Sequence, residues 1–70
     1  MKRELYYKFN VSRMSRNIFH LKTHHESETN VLRVFDALCT TYLAEEGYEV
    51  VLQCWEDTLK WEKTREGVEL

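Results

Sequence analysis

Histidines and carboxylates are the residues of this sequence whose types suit metal or acid–base chemistry. His20, His24 and His25 lie close together in the chain. In an extended segment, which rises by about 3.3 Å per residue, His20 and His24 lie too far apart to bind one ion, and a tetrahedral metal site needs further ligands. The paired carboxylates adjoin a predicted helix end and a predicted turn, and no serine or cysteine is linked by its spacing to a base. We therefore predict no catalytic residue, no metal site and no cofactor.

Basic side chains mixed with aromatic ones near the N-terminus suggest a second kind of chemistry, the binding of an anion. Residues 1–25 contain six basic side chains and one acidic one, a net charge of +5, whereas residues 26–70 contain four and eleven, a net charge of −7. The two halves either attract each other within the folded molecule or present a basic face to an anionic partner. In the second case the candidate contacts with nucleic-acid phosphates are Arg13, Arg16 and Lys22. The whole chain has a net charge of −2 and no RNP-like motif, so nucleic-acid binding is the second of two functional hypotheses.

A long amphipathic helix is the element on which the fold is predicted to centre. From Thr29 to Glu46 the apolar residues recur at helical spacing, with Phe35 near the centre of the apolar arc and Arg33 on the polar side. Ser27 or Thr29 suits the N-cap, and Gly47 suits the C-cap. Because an isolated helix of this length is marginal in water, its apolar face must be buried against other elements.

Two alternating segments before the helix predict a β-hairpin. Apolar residues occupy every second position from Leu5 to Val11, which is typical of a half-buried strand. The segment Asn17–Thr23 alternates in the same way and places Leu21 on the side that the helix would cover. The connection Ser12–Arg16 contains neither Gly nor Asn-Gly, so we expect a five-residue loop instead of a two-residue turn.

Two structures fit the segment after Gly47. The run Tyr48–Trp55 is rich in β-branched and aromatic residues, which favours a strand, and Leu59 and Trp61 would then begin a fourth strand or a short terminal helix. Alternatively, polar residues from Glu49 to Lys63 recur at helical spacing, which favours a second helix. The predicted fold class is α+β, a small antiparallel sheet in the order ββαβ, with or without a fourth strand, and one long helix packed on one face. The alternative is a β-hairpin followed by two helices.

Length and composition set the scale of the molecule. Seventy residues make a single small domain, since a chain this short buries only about 60% of its unfolded surface. The longest uninterrupted aliphatic run covers three residues, Val50 to Leu52, and the N-terminus lacks the apolar stretch of a signal peptide. Cys39 and Cys54 have no CxxC spacing, which predicts reduced, buried thiols, with a disulfide as the alternative. We expect a cytoplasmic protein with no membrane partner.

Surplus apolar surface points to the binding of another protein. If the helix covers one face of the sheet, aromatic and aliphatic side chains remain on the opposite face. These protein-interface candidates are Tyr6, Ile18, Val51 and Trp55. Exposed clusters of this composition within a polar rim are typical of protein interfaces. Two alternatives stay open: the C-terminal segment with Leu59 and Trp61 covers them, or a second copy of the chain does so in a homodimer.

Small size, acidic charge and the ββαβ order together resemble phage-encoded or mobile-element proteins that bind and block a host protein. The resemblance implies a small regulator or inhibitor without catalytic activity, and it assigns no residue. The first functional hypothesis is therefore a non-enzymatic protein-binding module. The alternative is a nucleic-acid-binding protein that uses the basic N-terminal hairpin.

Overall fold

The structure is a computed structural model that describes residues 4–24 and 27–69. In these residues five antiparallel strands form one sheet in the order β2-β1-β3-β4-β5, and one α-helix lies between the second and third strands of the chain. The elements are β1 (Tyr6–Arg13), β2 (Arg16–His24), α1 (Glu28–Thr41), β3 (Tyr48–Trp55), β4 (Leu59–Thr64) and β5 (Gly67–Glu69). The predicted α+β class with a small antiparallel sheet is confirmed. Along the described residues, α1 is neither long nor apolar enough to cross a membrane.

The segment after Gly47 forms strands, so the alternative of a second helix is wrong. Every second side chain of β3 is buried, as a strand with one face in the core requires. Glu56 and Lys60 are spaced as in one turn of a helix, but they form an ion pair across the turn between β3 and β4. Lys60 Nζ lies 3.2 Å from Glu56 Oε2. The chain then adds β5 beyond the fourth strand.

Helix α1 begins as predicted and ends five residues early. The Ser27 hydroxyl accepts a hydrogen bond from the Asn30 N–H at 3.2 Å, which identifies Ser27 as the N-cap. The helix stops at Thr41 because the next residue, Tyr42, turns its ring into contact with two other aromatic rings. Gly47, with φ +90°, instead caps a separate 3-10 turn over Ala44–Glu46.

The carbonyl groups at the end of α1 are satisfied by a residue from the other end of the chain. The Arg65 guanidinium donates to the Cys39 carbonyl oxygen at 2.9 Å and also to the Tyr42 carbonyl oxygen. A cation at this position interacts favourably with the negative end of the helix dipole. The turn between β4 and β5 therefore supplies the helix C-cap that the sequence had assigned to Gly47.

The hairpin turn is shorter than predicted, and the expected five-residue loop is wrong. Arg13 pairs with Arg16, so only Met14 and Ser15 form the turn, with φ of +51° and +66°. Two positive φ values are the sign pattern of a type I′ turn, which normally uses Asn or Gly. The Arg13 Nε donates to the Glu46 carbonyl oxygen at 3.0 Å, so tertiary contacts hold the end of β1 in place despite the unfavourable turn residues.

The core is a single cluster built by the two central strands and the helix. Its buried members are Tyr7, Phe9, Val11, Val31, Phe35, Val50, Leu52 and Cys54. Phe35 is 3% exposed and Arg33 is exposed, as their positions on the helix predict. Leu21 is 48% exposed, contrary to the prediction that the helix covers it, because β2 is the edge strand and α1 contacts β3.

Relieving the backbone strain of the hairpin turn should stabilise the fold. A left-handed conformation costs a non-glycine residue about 1–2 kcal/mol, so Met14→Asn with Ser15→Gly is expected to raise the free energy of unfolding by about 1 kcal/mol. Urea denaturation should show a higher midpoint at an unchanged slope. Ser15→Ala, which keeps a side chain at positive φ, is the control and should bring no gain. An unchanged or lower midpoint for the double variant would contradict this turn geometry.

Candidate binding face of the sheet

One face of the sheet carries the residues that the sequence marked as an interface. We call it the open face. Tyr7, Phe9 and Val11 of β1 are buried in the core, so the alternate residues of β1, beginning with Tyr6 and Lys8, lie on the opposite side. In the part of the chain that the structure describes, β4 and β5 extend the sheet sideways instead of folding over this face.

The strand register brings four residues into one line across the sheet. Tyr6 pairs with His24 on one side and with Trp55 on the other, and Trp55 pairs with Leu59. We call His24, Tyr6, Trp55 and Leu59 the aromatic row. The Tyr6 and Trp55 ring planes are within 8° of parallel with centroids 6.4 Å apart, and the Tyr6 and His24 centroids lie 5.6 Å apart. The row joins rings from three strands to an aliphatic side chain that is 42% exposed.

A row of polar side chains lies next to the aromatic row, two residues away along β1, β2 and β3 and three residues away along β4, where the register shifts. Its members are Lys22, Lys8, Gln53 and Glu62, paired in that order across the sheet. We call them the polar row. Its charge therefore changes from positive on β2 and β1 to negative on β4. A depression of ≈ 520 Å³ on this face is lined in part by the polar row, and it is shallow and open to solvent, unlike an enclosed ligand site.

Contacts between the two rows fix the orientation of Trp55. Lys8 Nζ lies 4.7 Å from the Trp55 ring centroid, and Lys22 Nζ lies 4.4 Å from the Tyr6 ring centroid. The Trp55 indole Nε1–H donates to Gln53 Oε1 at 3.0 Å, and Gln53 Nε2 donates in turn to Glu62 Oε1 at 3.4 Å. The polar atom of Trp55 is thus satisfied within the chain.

The structure brings together two of the four predicted protein-interface residues. Tyr6 and Trp55 are neighbours, whereas Val51 pairs with Asn10 beyond the polar row. Ile18 lies near the hairpin turn, beside the irregularity at which the register of β1 and β2 shifts, and is 48% exposed. The predicted patch is therefore interrupted by polar side chains.

Sequence reasoning missed His24 and Leu59 as members of the aromatic row. Strand alternation alone assigns side chains to a face but does not say which residues are opposite each other. Register shifts at Val11/Ser12 and at Cys54/Trp55 set the pairing of both residues. A two-residue turn alone would pair Tyr6 with Thr23, so the shift at Val11/Ser12 is what places His24 opposite Tyr6.

The three predicted phosphate contacts do not converge. Arg13 is held by its hydrogen bond to the Glu46 carbonyl oxygen, and its guanidinium carbon lies 5.1 Å from the Tyr48 ring centroid. Arg16 begins β2 beside the hairpin turn, whereas Lys22 lies in the polar row. The cation beside Lys22 is Lys8, which pairs with it across the two strands.

Metal ligands and thiols are the remaining reactive groups among the described residues. His25 lies outside them, and no group of three or more histidine, cysteine, aspartate or glutamate side chains within residues 4–24 and 27–69 is arranged to hold a metal ion. Burial raises the pKa of the Cys54 thiol and that of the Cys39 thiol. Both cysteines are free thiols that remain protonated at neutral pH, the opposite of an activated nucleophile.

Comparison with known proteins finds no family model, no curated protein and no solved structure that matches this chain. Function is therefore inferred from the geometry of the open face. That face offers ring surfaces next to a row of polar and charged side chains.

Proposed function

We propose that this chain is a non-enzymatic protein-binding module that places the aromatic row of its open face against another protein. The observation that carries the proposal is the row itself, in which Tyr6 and Trp55 lie side by side between His24 and Leu59. Tyrosine and tryptophan are enriched among the residues that contribute most to protein interfaces. Charged side chains beside them match the polar rim of such interfaces.

The contacts of Trp55 favour its role as the anchor of the interface. Covering a tryptophan costs free energy if its indole N–H loses its hydrogen bond to water. Here the Trp55 N–H already donates to Gln53, so a partner can cover the ring without leaving that group unsatisfied. The ammonium groups of Lys8 and Lys22 can move to the rim of a contact because their carbon chains are flexible.

The arrangement of helix and sheet supports the same proposal. We infer that α1 packs on one face only, because Val31 and Phe35 of α1 join the buried cluster formed by β1 and β3. The C-terminal segment does not take the alternative position over the open face, since the Trp61 ring lies on the core side, with its centroid 6.2 Å from that of the buried Tyr7. The open face then remains for a partner.

The mode of action proposed is occupation of a partner's surface. A small domain that binds in this way acts as a regulator or an inhibitor, the role implied by the resemblance in size and element order. The free thiols of Cys39 and Cys54 suit the reducing setting of the cytoplasm.

Removal of the Trp55 ring should weaken the binding of a partner without unfolding the chain. Truncation at an interface hot spot typically costs about 2 kcal/mol or more, so Trp55→Ala is expected to reduce partner capture at least about tenfold. The proteins that each variant captures from a cell lysate should be quantified by mass spectrometry. Val68→Ala is the control, because Val68 is an exposed apolar residue on β5, at the far edge of the sheet. Thermal denaturation of both variants reports on the fold.

Three outcomes of this experiment contradict the proposal or change the partner. Unchanged capture by Trp55→Ala would remove the anchor, and unfolding of that variant would place Trp55 in the core. A dimer in native mass spectrometry that Trp55→Ala dissociates would identify a second copy of the chain as the partner.

A second candidate function is the binding of single-stranded nucleic acid. The observation that favours it is the position of the Lys8 and Lys22 ammonium groups over the rings of Tyr6 and Trp55, since such proteins combine cations for phosphates with rings for bases. Glu62 on the same face and the net charge of −2 weigh against it. Protein binding is therefore the better supported function.

Salt dependence distinguishes the second candidate from the first. Binding of a fluorescent twelve-nucleotide oligothymidine should weaken with added salt, with a log–log slope of about −0.7 for each phosphate contact. Lys8→Ala with Lys22→Ala is expected to remove two contacts and to reduce that slope by about 1.4. Arg13→Ala, whose side chain already has partners in the chain, is the control. No binding at low salt would exclude the oligonucleotide as a ligand.

A further inference from the structure

The outer edge of β2 is a second surface, which shares only His24 with the aromatic row. β2 is the first strand of the sheet and runs over nine residues, Arg16–His24. In residues 4–24 and 27–69 no strand pairs with its outer side. An edge strand presents a row of backbone N–H and C=O groups that can pair with another extended segment. The opposite edge of the sheet, β5, has only three residues.

An apolar groove runs beside this edge on the core side of the sheet. It has a volume of ≈ 430 Å³, and its lining includes Leu21 and Thr23 of β2 with Asn30, Val31, Arg33 and Val34 of α1. Leu21 is 48% and Val34 40% exposed, so both offer apolar surface that the chain itself leaves uncovered. A strand added to β2 would place every second side chain over this groove, because side chains alternate between the two faces.

The charges around the edge select the chemistry of its occupant. Residues 5–24, which include all of β1 and β2, contain no aspartate or glutamate. Arg16 and Lys22 lie on β2, and Arg33 lines the groove. An approaching segment that carries carboxylates is therefore attracted, and one that carries lysines is repelled.

We propose that the β2 edge binds an extended, acidic segment of another protein as a sixth strand of the sheet. Alternate apolar side chains of that segment lie against Leu21 and Val34, and its carboxylates lie near Lys22 and Arg16. Antiparallel pairing of β2 with the β2 of a second copy would bring two basic strands together, so the charges favour a foreign segment. The inference rests on the proposed function only in taking a polypeptide as the partner, and it uses none of the interface residues Tyr6, Trp55 and Leu59.

A designed peptide is the probe for this proposal. The seven-residue acetylated and amidated peptide Glu-Val-Glu-Val-Glu-Val-Glu should produce saturable shifts of the amide NMR signals of β2 and of Val34. The peptide with lysine in place of each glutamate is the matched control for charge, and we expect its affinity to be at least about tenfold lower. A third peptide carries N-methyl groups on those backbone nitrogens of the glutamate peptide that would face β2. Its binding should be abolished, because methylation removes the hydrogen-bond donors of the added strand.

Variants of the groove test the placement of the peptide. Leu21→Ser and Val34→Ser should each reduce affinity about tenfold by removing apolar contact without changing the charge that attracts the acidic peptide. Both residues are exposed, so the fold should persist, which the same spectra verify. Val68→Ser, a like change at an exposed residue of β5, is expected to alter affinity less than about twofold. Trp55→Ala should leave peptide binding unchanged, which separates this proposal from that of the open face.

Four results would overturn the inference. The first is the absence of saturable shifts at millimolar peptide, and the second is equal affinity for the glutamate and lysine peptides. The third is a set of shifts confined to the aromatic row, which would move the binding site to the open face. The fourth is a concentration dependence of the β2 signals without peptide, which would identify a second copy of the chain as the occupant.

Discussion

The pairing of β1 with strands on both sides is the constraint on which the rest of the structure depends. β1 pairs along its whole length with β2 and with β3. Its register places Phe9 opposite Leu52 within the core and Tyr6 opposite Trp55 on the open face. A slip of one residue would exchange the two faces, exposing Phe9, the largest fully buried side chain, and burying Lys8. The burial of the core and the composition of the aromatic row are therefore consequences of the same register.

Strand alternation made much of this predictable from the sequence. The bounds of β3 match the predicted strand, and the face assigned to Tyr6 and Trp55 follows from the burial of their neighbours. Pairing across strands was harder to predict from the sequence. The register shift beside Trp55 places Leu59 opposite it, and no local sequence pattern indicates such a shift. Face assignment is local, whereas the row depends on contacts between distant parts of the chain.

Two other departures have the same origin in tertiary contacts. The sequence after Thr41 still favours a helix, yet the helix ends there. The ring of Tyr42 packs with Phe19 and Tyr48 instead, and Arg65 donates to the carbonyl groups that the helix end leaves free. Met14 and its neighbour are poor residues for a type I′ turn, yet strand pairing on either side outweighs their preference. Propensity is a weak guide where such contacts compete with it.

Basic side chains gather at one side of the sheet, whereas acidic and basic side chains mix at the other. β1 and β2 contain the basic residues at one side of the sheet, and Arg33 of α1 lies on that side. Glu28 and Asp36 of α1 line a groove on the other side, next to β4 and β5. The aromatic row crosses four strands between these regions, so the open face carries both signs of charge. Mixed charge of this kind favours recognition of a protein surface over a phosphate backbone.

The central claim is that Trp55 lies on the open face in line with Tyr6 and Leu59. A nuclear Overhauser spectrum of the isolated chain tests it most directly, since such signals arise only between protons that lie close in space. The structure predicts cross-peaks from the Trp55 indole to the Tyr6 ring. Cross-peaks from that indole to Val31 or Phe35 of α1 would place Trp55 in the core and contradict the account.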